Sequence, residues 1–414
     1  PVYIRIPQGL KNFVEGLDPK KDCLLLKKAM YGLVQAARQW WRKFISILVE
    51  EFKFKKSQAD ACVLTREDEH GVIILCIYVD DALMVGDQAA IDATVAQLKT
   101  KVSLKDVGPL AEYVGCTVVK DPHKKKLWMW QPDLITKMEG IFKEHIQKLK
   151  VYTTPATPGQ ITLRSEDPSE VVDPETHTLY RSGVGMLLYL VKFSRPEISN
   201  AVREASKANV GPTKANMKSL YRLIKFVVDT RNYGLVMEPN QPTENNMWEI
   251  MAYCDSDYAG DKDGRKSVTG FVIYILGCLV SWKSRSQKSV TLSSTEAEYY
   301  SISELCAEIM FLKQIMEFLG MKVALPIIVR VDNVGAIYLA QNAVSGPRMK
   351  HVDIRYHFVR DYIEDGIIKI IFVRSEENDS DIFTKNLGEE AFNKHSKKYS
   401  QALDDDGKGV GNAG

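Results

Sequence analysis

The 414-residue sequence has no C-x-x-C pair, and none of its seven cysteines joins histidine in a zinc-like spacing. A structural zinc module is thereby excluded, and scattered thiols of this kind imply reduced, buried cysteines in an intracellular setting. No glycine-rich phosphate cradle is present, which removes the P-loop nucleotide binders. The longest apolar runs, such as Val72 to Val79 and Phe271 to Val280, are too short to cross a bilayer as helices, so no membrane is expected as a partner. Net charge is only +2, and any binding to nucleic acid must come from local basic patches instead of a global field. There is no internal repeat. The chain opens at Pro1 on an extended Val2-Tyr-Ile-Arg-Ile6 and not on a signal-like segment, as expected of a piece of something longer.

What is present is 45% apolar residues, enough for real cores in two or three domains at this length. The most organised stretch runs from Trp248 to Tyr300. Met251-Ala-Tyr-Cys-Asp-Ser-Asp-Tyr-Ala-Gly260 reads as a strand that carries carboxylates to its own end. Two apolar, β-branched runs follow, Val268 to Leu276 and Cys278 to Trp282, broken at Gly277 as a hairpin would be. A three-stranded antiparallel sheet is the expectation. Ser293-Ser-Thr-Glu296 offers a capping box, and Ile302, Leu305, Ile309, Leu312 and Ile315 recur at helical spacing up to Gly320. Glu298 then falls in the first turns of a long helix. Ile327 to Val331 is a short strand ending in Asp332, and Asp381 opens the last helical segment before Lys385.

Acids this far apart have little cause to converge unless they share a cation. Two divalent ions about 3.5 to 4 Å apart, held by carboxylates, can activate a water and stabilise a leaving oxygen on phosphate. Mg2+ or Mn2+, two per site, is the expected cofactor, since such ions prefer oxygen ligands. Each acid also has a plainer reading. Asp255 and Asp257 share one face of a strand, so spacing alone does not separate them. Glu296 and Glu298 lie about 200° apart around a helix, so only one faces the sheet, and Glu296 suits the cap. Asp332-Asn333 reads equally well as a strand-to-helix turn with an N-cap, and Asp381 alone would pass as another.

The first sixty residues carry twelve Lys or Arg against six Asp or Glu, including Lys20, Lys21, Lys27, Lys28, Arg38, Arg42, Lys43, Lys53, Lys55 and Lys56. Such an excess suits phosphate contacts or, equally, a solvated helix face. Trp40, Phe44 and Leu48 are spaced as in a helix, which puts Arg38 and Arg42 on one side of it, with Trp40 and Trp41 read as core. From Val72 to Gly86 an apolar strand, the pair Asp80-Asp81 and a second apolar strand predict a hairpin with both acids at its tip. Thr153 to Asp173, rich in Pro, Thr, Ser and Gly, reads as a flexible linker. Helices are expected beyond it, with Lys192, Arg195, Lys218, Arg222, Lys225 and Arg231 placed either to track a duplex backbone or to face solvent.

Five blocks in order, Cys-Asp255-Ser-Asp-Tyr-Ala-Gly, Ser-Thr-Glu-Ala-Glu298-Tyr, Val-Asp332-Asn-Val-Gly-Ala-Ile, Lys350-His-Val-Asp-Ile-Arg-Tyr-His-Phe358 and Asp381-Ile-Phe-Thr-Lys385, resemble the ribonuclease H domain of copia-type retrotransposon polyproteins. Upstream, Tyr78-Val-Asp-Asp81, Lys28-Ala-Met-Tyr-Gly-Leu33, Gln35-Ala-Ala-Arg-Gln-Trp40, Ser57-Gln-Ala-Asp60 and Leu110-Ala-Glu-Tyr-Val-Gly-Cys116 resemble the reverse transcriptase of the same family. Ala37 departs from the Pro or Ser usual there. The resemblance implies an α+β chain: a partial reverse-transcriptase palm, thumb and connection, then a ribonuclease H-like α/β domain with a mixed sheet. Its divisions would be residues 1–150 for the partial polymerase, 151–245 for linker and helical thumb or connection, 246–398 for the ribonuclease part, and 399–414 for a disordered tail.

The resemblance assigns Asp255, with Asp257 as runner-up, and Glu298, Asp332 and Asp381 as catalytic metal ligands of the ribonuclease, and Asp80 and Asp81 as those of the polymerase. A further palm aspartate would lie ahead of this sequence, so little polymerase activity is expected. Lys283, Arg285 and Lys288, in a loop before the Glu298 helix, join Arg38 and Arg42 as expected phosphate contacts. Implied partners are an RNA/DNA hybrid, a primer-template and the rest of the polyprotein, in cytoplasmic particles and the nucleus. Two other readings compete. An integrase would need a zinc module and an Asp, Asp, Glu order, and a decayed element serving only as a nucleic-acid-binding or structural module would be expected to have lost the acids.

Overall fold

The computed structural model describes residues 2–403 apart from 31, 122, 166, 244 and 343–352, and the chain divides into two compact units, Pro1–Gly108 and Pro109–Gly414. In the first, strands Lys55–Lys56, Val63–Asp68, Gly71–Tyr78 and Asp81–Gly86 form an antiparallel sheet in that order. Alternation along the third strand turns Ile73, Leu75 and Ile77 to one face. There they bury against Phe44 and Leu48, from helix Ala36–Ser46 and its continuation, and against Ala90 and Leu98 of helix Gln88–Lys99. Trp40 and Trp41 pack at the edge of this core as expected. Tyr78 pairs with Asp81 across a tight turn whose first residue, Val79, has φ +54°.

In the second unit, strands Cys278–Ser286, Val268–Ile275, Ile250–Asp257, Ile327–Val331 and Ile368–Phe372 lie in that order, the first three antiparallel and the last three parallel. This is the expected mixed sheet. Its two faces are sorted by the period of two along each strand. Ala252, Cys254, Phe271 and Ile273 face helix Ser294–Phe318, burying Tyr299, Ile302, Leu305 and Ile309. Tyr253, Val272 and Tyr274 point the other way, into a core shared with helices Pro132–Ile146, Pro174–Phe193, Ser199–Lys207 and Lys214–Asp229. A further antiparallel sheet runs Ser400–Ala402, Tyr233–Met237, Lys126–Trp130, Cys116–Asp121, Glu112–Tyr113.

Several expectations are corrected here. Residues 109–150 pack with the downstream chain, because Ile135, Met138, Phe142 and Ile146 enter the same core as Leu220 and Val272, so the compact units part near 108. The stretch read as a flexible linker is tied down: Arg222 donates to the Thr154 and Ala156 carbonyls at 3.3 and 3.1 Å, Asn386 to the Gln160 carbonyl at 2.7 Å, and Thr162 N–H donates to Glu204 at 2.6 Å. Its turn-forming composition marks an irregular path whose polar groups are satisfied by neighbours, not a free tether. Arg195 pairs with Glu197, Lys225 with Asp229 and Arg231 with Glu139, so these cations are engaged within the unit and not laid out as a track. Of the tail expected to be disordered, Tyr399 is buried and Ser400–Ala402 is a strand edge; residues 404–414 lie outside the described set.

One face of the mixed sheet is thus covered by helices that precede it in the chain. A fragment of residues 246–403 should therefore aggregate or bind a hydrophobic dye, whereas residues 109–403 should unfold cooperatively. Thermal unfolding and dye binding of the two fragments check this, and equal melting temperatures would refute it.

Candidate metal centre

Asp255 lies inside strand Ile250–Asp257, 2% exposed, and pairs across to Gly270. A Cβ at Gly270 would stand 2.5 Å from Thr384 Cγ2 and 3.1 Å from Phe383 Cβ, so glycine is what lets the short helix Asp381–Thr384 lie flat on the sheet. That contact brings Thr384 Oγ1 to donate to Asp255 Oδ2. Asp332 follows strand Ile327–Val331, which runs parallel to the Asp255 strand, so both deliver their acids toward the same edge. The capping role that Asp332 might have filled goes to its neighbour: Asn333 Oδ1 accepts from Ala336 N–H at 2.9 Å, while Asp332 Oδ2 accepts from Ser375 Oγ at 2.6 Å. Ligand oxygens of Asp255, Asp332 and Asp381 all lie within 4.8 Å of one another.

Glu298 is the fourth acid, from the second turn of helix Ser294–Phe318 and 5% exposed. Its Oε1 accepts from Ser256 N–H at 3.1 Å, and its buried Oε2 has no hydrogen-bond partner. Glu296 serves the helix start instead, accepting from Leu292 N–H at 2.7 Å while its own N–H donates to Ser293. The choice between Asp255 and Asp257 is also geometric. Asp257 stands outside the three-acid group, its carboxylate beside Gly260, where a Cβ would meet Asp257 Oδ2 at 2.0 Å.

The electrostatics are those of like charges out of water. Burial, then the charges of Asp255 and Asp332, push the Glu298 carboxyl well above its usual range. Burial and Asp255 raise Asp381 to about 8. Asp332 is raised mainly by burial, against the hydrogen bond from Ser375. Lys385 follows the short helix and sets its ammonium 3.3 Å from Asp255 and 3.7 Å from Asp381. Burial alone would lower its pKa, yet these two acids more than offset that and raise it. The donor set is oxygen only, and Glu298 Oε2 and Asp381 Oδ1 are buried without hydrogen-bond partners, so the residues fit Mg2+ or Mn2+.

The other expected residues are placed differently. Asp80 and Asp81 sit exposed at the hairpin, and no group of three potential ligands includes them among the described residues. Arg38 and Arg42 are exposed on helix Ala36–Ser46. Lys283 and Arg285 are not in a loop, because strand Cys278–Ser286 continues through them as the partner of Val268–Ile275. Lys283 is engaged by Glu304 at 3.1 Å; Arg285 and Lys288 are exposed, and Lys288 alone of the three lies in the loop. Sequence reading gave no role to Lys385, Thr384 or Ser375. Lys385 was detectable as the cation four residues after Asp381, but Ser375 lies in a short turn with no signal of its own.

Comparison with known proteins places the chain. The family model described as reverse transcriptase (RNA-dependent DNA polymerase) matches residues 1–146. The Pol polyprotein of transposon TNT 1-94 from Nicotiana tabacum is 32% identical over 93% of the chain, and that of transposon RE1 from Arabidopsis thaliana is 32% identical over 96%. Over nearly its whole length the chain is similar to these retrotransposon Pol polyproteins. It spans 28% of the first relative's length and 26% of the second's. Among solved structures, LC11-RNase H1 in complex with an RNA/DNA hybrid matches at 18% identity, covering 35% of this chain and 98% of that one, with a TM-score of 0.25. The matched reverse-transcriptase region is residues 1–146, and the acid cluster lies downstream of it, in the second compact unit. Among the described residues no helix is long and apolar enough to cross a membrane.

Because the acids repel one another, removing one should stabilise the protein when divalent ions are chelated. Asp332→Asn and Asp381→Asn are each expected to raise the melting temperature in EDTA by about 2–4 °C, the equivalent of roughly 1 kcal/mol, and to shrink the increase that Mn2+ gives the parent. Calorimetry with and without Mn2+ reads both; a lower melting temperature in EDTA would contradict the electrostatic account.

Proposed function

We propose that Asp255, Glu298, Asp332 and Asp381 form a two-metal ribonuclease H centre that cuts the RNA strand of RNA/DNA hybrids. The observation that carries this is the approach of the Asp255, Asp332 and Asp381 oxygens to within 4.8 Å, with Glu298 outside that group but near enough for the charges of Asp255 and Asp332 to raise its carboxyl. Bound Mg2+ or Mn2+ would supply Lewis-acid polarisation of the scissile phosphate and a more acidic water. The protein's part is positioning. Asp255 is fixed by Thr384, Asp332 by Ser375 and Glu298 by Ser256 N–H, so three acids are held in place before any cation arrives. Arg285 and Lys288, both exposed, are the cations proposed to meet the phosphates of the hybrid. Arg38 and Arg42 are proposed to meet a primer-template on the polymerase side. Other segments of the polyprotein are further proposed partners, in cytoplasmic particles and the nucleus.

The test is cleavage of end-labelled RNA/DNA hybrid beside duplex RNA and duplex DNA, with and without Mg2+ or Mn2+. The parent should cut the hybrid alone, and Asp255→Asn or Asp332→Asn should reduce the rate by orders of magnitude with the fold intact. Full cleavage in both variants would remove the assignment, and hybrid binding without turnover in the parent would favour a binding module. Affinity should also fall with salt at a slope near −0.9 per phosphate contact, and Arg285→Ala with Lys288→Ala should lessen that slope.

Asp80 and Asp81 are proposed as carboxylates of a reverse-transcriptase palm that this chain does not complete. Two exposed acids with no third carboxylate beside them among the described residues make a poor cage for two ions. Primer extension on a homopolymer RNA template is therefore expected to give little or no product. Robust incorporation abolished by Asp80→Asn would show that a further ligand is supplied after all.

A further inference from the structure

Lys385 stands in an unusual relation to the cluster. Three carboxylates meet at the site with Glu298 near them, and among the described residues the one cation ion-paired to them is Lys385, through Asp255 and Asp381. Those two acids are themselves members of the group whose oxygens lie within 4.8 Å. Its attachment is local: the side chain leaves the end of the helix that begins with Asp381, four residues on, so the helix that supplies one acid also supplies its counter-ion. The side chain is 41% exposed, which leaves its flexible stem a path toward solvent. Meanwhile Glu298 Oε2, on a side chain only 5% exposed, has no hydrogen-bond partner. One ammonium touches two of the acids and leaves this oxygen unserved.

From this geometry we infer that Lys385 competes with divalent ions for Asp255 and Asp381, so that a metal must displace its ammonium before all four acids can bind. The inference rests on the reading of the cluster as a metal centre. An ammonium 3.3 Å from a carboxylate oxygen cannot keep that place once a dication coordinates the same oxygen, since the two cations would repel at close range. The lysine therefore holds the acids together at low metal and raises the metal concentration needed to load the centre. Its charge has the opposite effect from that of a ligand, which removal would weaken.

The test uses EDTA-treated protein repurified into metal-free buffer and Mn2+ as the probe. Isothermal titration and the electron paramagnetic resonance signal of free Mn2+ give the Kd, and calorimetry gives the melting temperature. Lys385→Met is expected to lower the Kd for Mn2+ by roughly tenfold, as loss of a nearby like charge would, to lower the melting temperature in EDTA, and to enlarge the Mn2+-induced increase. Lys385→Arg, which keeps the charge, should stay within about twofold of the parent. If the methionine variant fails to fold, Lys385→Gln replaces it. An unchanged or weaker Mn2+ affinity in a folded neutral variant overturns the competition. Asp255→Asn separates the two levels: loss of Mn2+ binding there with no effect of Lys385→Met sinks only the inference, whereas binding equal to the parent sinks the metal centre too.

Discussion

Carboxylates that converge out of water set the terms for the rest of this structure. Oxygens of Asp255, Asp332 and Asp381 within 4.8 Å, with Glu298 at their side, are held against both mutual repulsion and the cost of burial. The fold meets that cost with rigid attachments. Asp255 is inside a strand bonded on both edges, Glu298 is on a helix whose next turns fill the core with Tyr299, Ile302 and Leu305, and Asp332 follows a strand flanked on both sides. Asp381 comes on a four-residue helix that could not reach the sheet if residue 270 carried a side chain. No single contact holds the acids in place, and that is why their energetic strain is compatible with one arrangement.

This cost also explains why the sheet is covered on both faces. The helix Ser294–Phe318 seals one, and the other is sealed by four helices that come earlier in the chain together with the short helix Asp381–Thr384, with Trp282 Nε1 donating to the Val191 carbonyl at 2.9 Å and Arg203 to Ser284 at 3.2 Å across the junction. A low-dielectric surrounding strengthens the attraction of an acid cluster for a cation as much as it strengthens the repulsion within it. The helices that look like a connection in sequence are, in packing terms, part of the unit that carries the acid cluster.

Elements with strong periodicity were legible: the three antiparallel strands, the long helix with Ser293 at its start and the hairpin bearing Asp80 and Asp81 all follow from alternation or from the 3.6 repeat. The acids were legible as candidates because each falls at a strand end or helix start. Which of Asp255 and Asp257 joins Asp332 was not, because both share one face and differ only in depth along the strand. Packing partners were harder still. Nothing local in Thr153 to Asp173 shows that Arg222, Glu204 and Asn386 would satisfy its backbone, and a turn-rich segment pinned by distant side chains has the same composition as a free one. Likewise, a run of basic residues carries no mark of which will be paired: Lys283 meets Glu304 only because a strand continues past the point where its apolar pattern stops.

The contrast between the two acid pairs shows how burial separates a candidate from a built site. Asp80 and Asp81 are adjacent in sequence and exposed at a hairpin turn, where solvent screens their repulsion and little is needed to hold them. Adjacent placement therefore costs the fold little and, by itself, says little about a cation. Asp255 and Asp381 are far apart in sequence, mostly buried, and brought together by a glycine in the next strand, a threonine hydroxyl and a lysine, each of which would be superfluous if the acids were not meant to meet. Sequence distance, burial and supporting contacts all work against chance proximity here, and the all-oxygen donor set is one that the proposed shared cation would accept.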